Sequence, residues 1–149
     1  MTTLKCKTVI GGKATGEALV TEQPINFTAA MCKVPNMLPS KRAEVNDAHH
    51  ELFKQNVAGK VLVFPSCIGS THTGLVLLEL VSRQNGPAAL VVRHNDSLLI
   101  SGVVLSDVWF GKTIPVVEYH GDDLFEQFHT GDRVTVDGDA GEIRITRQG

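Results

Sequence analysis

From Phe64 to Gly74 the chain reads Phe-Pro-Ser-Cys-Ile-Gly-Ser-Thr-His-Thr-Gly, which sets two serines, two threonines, a cysteine and a histidine between two apolar runs. A hydroxyl or an imidazole in such a loop can act as base or nucleophile when neighbouring donors stabilise its charged form. Ser70, Thr71, His72 and Thr73 are the residues whose types allow that chemistry, and Gly69 and Gly74 let a ligand approach the backbone closely. A helix starting at Gly74 turns its unpaired N–H groups and partial positive charge toward the loop, which suits a carboxylate or phosphate. The plainer alternative is that Ser70, Thr71 or Thr73 merely caps that helix. It accounts for one hydroxyl and leaves the other polar residues unexplained. His72 reads equally as an exposed loop histidine, and His49, His50, His94, His120 and His129 have no mutual spacing that marks a metal site.

The elements on either side must position this loop. Val61–Phe64 is apolar throughout between Gly59-Lys60 and Pro65, which predicts a buried central strand. Gly74–Arg83 carries Leu75, Val76, Leu77, Leu78, Leu80 and Val81, which predicts a helix with little solvent face, stopped by Asn85-Gly86-Pro87. Ala88–Val92 reads as a second strand, Leu98–Leu105 as a helix behind the capping candidate Asp96, and Ile114–Glu118 as a third strand. In this βαβ rhythm the loop falls at the carboxyl end of the sheet, where ligands usually bind. Asp122–His129 offers a short helical turn with Leu124, Phe125 and Phe128 inward. Leu4–Ile10 and Glu17–Thr21 across Gly11-Gly12 predict one hairpin, and Arg133–Asp137 and Glu142–Ile145 around Gly138–Gly141 another. Pro24–Asn56, broken by Pro24, Pro35 and Pro39, reads as a long excursion that is functional or covers a partner. The expected fold is mixed α/β and layered β/β/α, with β-hairpins at both termini flanking a βαβ centre.

The chain is 149 residues long, enough for a single domain spanning 1–149. Its 42% hydrophobic content with only 5% aromatics makes the core aliphatic. A formal charge of −2 with mixed signs excludes the basic footprint of a nucleic-acid or anionic-membrane binder. No apolar run reaches the roughly 18 residues of a membrane span, and Met1–Ile10 lacks the apolar stretch of a signal peptide, so a cytoplasmic location is expected. Cys6, Cys32 and Cys67 are widely spaced with no Cys-x-x-Cys pair and read as reduced thiols, so no metal bound by this chain alone is expected.

Several blocks together resemble one family. Gly59-Lys60-Val61-Leu62-Val63-Phe64-Pro65-Ser66, Gly69-Ser70 and Gly74–Leu80 are similar to the core motif of the aconitase X small subunit, or swivel domain. Gly12–Val20, Pro24–Phe27, Pro87–Leu90, Ile114–Val117 and Thr130–Val134 occur in the order that family shows. The resemblance implies a swivelling β/β/α domain that closes over a large subunit, forming a heterodimer. The large subunit holds an iron or iron–sulfur centre. It further implies a hydro-lyase in which Ser70 is the proton acceptor, with Gly69, Thr71 and His72 around the substrate. The substrates it offers are cis-3-hydroxy-L-proline and 5-phosphomevalonate. The family loop commonly reads Gly-Arg-Gly-Ser, whereas Cys67-Ile68 precede Gly69-Ser70 here. Ile68 cannot bind an anion bidentately as Arg does, so the amino acid is the expected substrate and phosphomevalonate the alternative. Two other classes remain open on the residues. One is a phosphohistidine swivelling carrier using His72; the other is a non-catalytic binding module.

Overall fold

A strand without polar residues needs cover on both faces, and the architecture supplies it. The structure, a computed structural model, describes residues 1–27, 31, 43–68 and 73–147. In chain order its elements are β1 (Thr2–Lys5), β2 (Lys7–Ile10), β3 (Lys13–Val20), β4 (Val61–Phe64), α1 (Thr73–Ser82), β5 (Ala89–Val92), α2 (Ser97–Phe110), β6 (Val116–Glu118), α3 (Leu124–Gln127), β7 (Arg133–Asp137) and β8 (Glu142–Thr146). The strand order is β1-β8-β7-β3-β4-β5-β6-β2. β3 through β6 run parallel, and the remaining neighbours pair antiparallel.

Period-two alternation divides the parallel strands between two cores. Leu62, Phe64, Leu90, Val92 and Val116 pack on Leu77 and Leu80 of α1 and on Leu99 and Val103 of α2. Val61, Val63, Ala89, Val91 and Val117 pack on Val134, Val136, Ile143 and Ile145 of β7 and β8. Each of these side chains other than Ala89 contributes about 1.5–3 kcal/mol when fully buried. The result is three layers, β/β/α, as expected from the sequence.

Two bent segments join the β layers. β3 pairs with β7 from Lys13 to Glu17 and with β4 from Ala18 to Val20. At the crossover a Cβ on Gly16 would lie 2.6 Å from the Gly59 carbonyl, so only glycine fits there. On the other side β1 and β2 are separated by Cys6 alone, yet β1 pairs with β8 and β2 with β6. The two ends of the strand order therefore meet at Cys6. This corrects the N-terminal hairpin: β2 and β3 are consecutive across Gly11-Gly12 but take different partners. Local alternation identifies a strand without naming its neighbour. The C-terminal hairpin forms as expected, with Asp137 opposite Glu142.

The helical layer is held by a close contact between α1 and α2, where a Cβ on Gly102 would fall 2.2 Å from the Gly74 carbonyl oxygen. α2 runs past the expected end at Leu105 to Phe110, with buried Ser106 inside it and Gly111 as its cap. The described part of the 24–56 stretch is packed rather than looped out. Ile25, Phe27, Met31, Ala43, Val45 and Leu52, with Val57 just after them, join the helix-side core, and Glu44 and Asn56 form an antiparallel bridge. No helix among the described residues is long and apolar enough to cross a membrane.

Candidate functional site

β4 delivers the chain to the carboxyl edge of the parallel sheet, and neighbouring backbone clamps the segment just beyond it. The Pro65 carbonyl accepts from Arg93 N at 3.1 Å and His94 N at 3.0 Å. Ile25 N donates to Ser66 O, and Ile68 N donates to Ile25 O, both at 3.0 Å. Residues 65–68 are thus tied to the loop after β5 on one side and to Ile25 on the other. The expected site residues Gly69, Ser70, Thr71 and His72 lie outside the described residues, and α1 begins immediately after them at buried Thr73. A cavity of about 130 Å³ is lined from both flanks of that segment by Cys67, Ile68 and Thr73, together with Asp96 and Leu98 of the next βα connection.

The groups around this cavity have assigned work. Asp96 Oδ1 accepts from Leu99 N at 2.8 Å and caps α2, as expected from its position. Burial, and secondarily the Asp96 charge, pushes the Cys67 thiol well above its ordinary range, which disfavours the reactive thiolate. Farther along the same edge Glu118 closes β6 and is 8% exposed. It accepts from Asn95 N at 3.0 Å and from the Asn95 side-chain amide, and its other oxygen lies 2.7 Å from His120 Nε2. Burial opposes the Glu118 charge, but the Asn95 N–H, His120 and Lys7 outweigh it and hold the carboxyl below its usual range. Arg93 comes directly after β5, its guanidinium 5.5 Å from the Phe125 ring centroid.

Sequence reasoning found Asp96 as a cap but not as a wall of the cavity, and it missed the Asn95, Glu118 and His120 cluster. A charged residue ending an otherwise apolar strand was the available signal. Among the described residues no three His, Cys, Asp or Glu side chains come together to hold a metal ion, so these residues do not fit an iron centre of the chain's own.

A three-layer β/β/α domain whose parallel strands end beside helix N-termini presents a ligand-binding edge at the carboxyl ends of those strands. The sequence profile of the aconitase X swivel domain matches residues 3–145. The Thermococcus kodakarensis protein named phosphomevalonate dehydratase small subunit is 33% identical over 146 residues, covering 98% of each chain. Its namesake from Archaeoglobus fulgidus is 33% identical over 142 residues, covering 94% of this chain and 96% of its own. The crystal structure of Thermococcus kodakaraensis aconitase X in its holo-form superposes with a TM-score of 0.81 at 32% identity, covering 99% of this chain and all of that one. The chain belongs to the aconitase X swivel-domain family. It is a component of a hydro-lyase, and its relatives' small-subunit name implies a large subunit beside it.

Proposed function

We propose that residues 1–149 act as one swivel domain that joins a large subunit to dehydrate 5-phosphomevalonate, with Ser70 as the proton acceptor. The observation that carries the substrate is the name of the Thermococcus and Archaeoglobus relatives, which match nearly end to end. This reverses the preference for cis-3-hydroxy-L-proline drawn from Ile68. Dehydrating a 3-hydroxy acid removes a proton from the carbon next to the carboxylate and hydroxide from the carbon beyond it. Ser70 takes the proton, Gly69, Thr71 and His72 contact the substrate, and the α1 N-terminus favours the charge that develops. An iron or iron–sulfur centre on the large subunit would supply a Lewis acid for the departing hydroxide.

Position 68 lacks an Arg, but Arg93 follows the neighbouring strand, with its backbone N–H bonded to the Pro65 carbonyl and its guanidinium over the Phe125 ring. Ile68 still favours the second reading, because at 52% exposure it offers a phosphate nothing to bond. Assaying the chain, co-expressed with its large subunit, on both compounds separates the two. Turnover of 5-phosphomevalonate is expected; dehydration of cis-3-hydroxy-L-proline alone would refute the assignment.

A further inference from the structure

We infer that the outward face of α2 is the surface on which the large subunit docks, an inference that rests on the two-subunit reading above. α2 is 14 residues long, and Asp107 is its one charged residue. A helix apolar around its circumference belongs in an interior, yet only Leu99, Gly102, Val103 and Ser106 are buried. Leu98, Val104, Val108, Trp109 and Phe110 remain uncovered, from 37% for Leu98 to 71% for Val108. Trp109 is the chain's single tryptophan. Ile68, more than half exposed, lines the same cavity as Leu98, and Leu75 in the first turn of the neighbouring α1 is also more than half exposed.

The extent of this surface fits a macromolecular partner. The uncovered parts of these side chains sum to on the order of 700 Å², close to the ~800 Å² per partner of a standard interface. From Leu98 to Trp109 the helix rises about 16 Å, far beyond the reach of a small ligand. Continuity identifies the occupant. The patch begins at Ile68 and Leu98, which line the cavity beside Ser70's segment, and the described residues there cannot hold the metal the family's chemistry uses. The subunit that completes the site must come up against that rim, and the apolar face leads away from it. The α2 face is mostly apolar, with Asp107 as its one charge and Trp109, of a residue type enriched in interface hot spots, as its anchor.

The test uses the full chain co-expressed with its large subunit. Val108→Glu and Trp109→Glu are compared with Lys13→Glu on the opposite β layer. The two α2 variants should weaken pairing about 100-fold or more while the isolated chain keeps the wild-type circular dichroism and melting temperature. Lys13→Glu should pair normally. Wild-type pairing by both α2 variants in an active enzyme would overturn the docking surface and leave the two-subunit reading standing. Failure of the wild-type chain to pair at all would overturn both. A homodimer of the isolated chain, broken by Val108→Glu without loss of large-subunit pairing, would assign the face to a second copy and overturn the inference.

Discussion

The antiparallel layer and the helical layer flank the same parallel strands but present opposite outer surfaces. β7 and β8 turn Val134, Val136, Ile143 and Ile145 inward, and the positions between them carry Thr135, Glu142 and Arg144. Lys5 pairs with Glu142 at 2.8 Å, and the Thr15 and Thr135 hydroxyls meet at 2.8 Å. Such exposed pairs add little stability, but they make a surface suited to water. Across the molecule α2 shows solvent Val104, Val108 and Trp109. One layer is finished by the chain itself and the other, on the inference drawn above, is left for a partner; Ile68 and Thr73, the described residues flanking the polar loop, line a cavity with Leu98 of α2.

That contrast predicts unequal consequences for similar mutations. The largest effect belongs to Ser70→Ala, which should lower turnover of the assembled enzyme by about 10²-fold or more, the scale of a lost proton-transfer group. Thr135→Ala on the antiparallel face, an equally small truncation, should leave turnover within twofold. A Ser70→Ala defect confined to stability, roughly 1 kcal/mol, would make the residue a helix cap. Next comes Gly102→Leu, which drives a side chain into the Gly74 backbone and Leu77 and forces α1 from α2. The expected loss is about 3 kcal/mol in denaturant unfolding; a neutral result would show that the helices do not meet there.

The smallest effect is electrostatic. The Glu118 carboxyl is held below its ordinary value in the folded chain, so its stabilising contribution is present above the unfolded carboxylate range near 4.3 and fades as pH falls through the lower folded value. Glu118→Gln should flatten that acid limb of the stability curve. An unchanged limb would mean that the Asn95 and His120 contacts are not held in solution.

The central βαβ pattern was legible because β4 and β5 are apolar throughout and α1 nearly so, and because Asp96 marks the start of α2 by its cap chemistry; the left-handed cap at Gly111 was not legible, and the expected helix stopped at Leu105. The C-terminal hairpin was legible from its glycine-rich turn. What could not be read was pairing at a distance. Nothing in Leu4–Ile10 says that a bend at Cys6 sends its halves to β8 and β6, since alternation fixes faces and not neighbours. The packing of Val45, Leu52 and Val57 was hidden for a related reason, because isolated apolar residues in a polar stretch carry no period. The loop itself stood out by residue type. Its surroundings, from Asp96 to Glu118, come from separate βα connections that only the sheet brings to one edge.

The central claim is that the chain holds one part of a divided site. It is tested most directly by measuring 5-phosphomevalonate dehydration with the chain alone, the large subunit alone, and the two mixed. Turnover is expected in the mixture only. Turnover by either subunit alone at the rate of the mixture would contradict the claim.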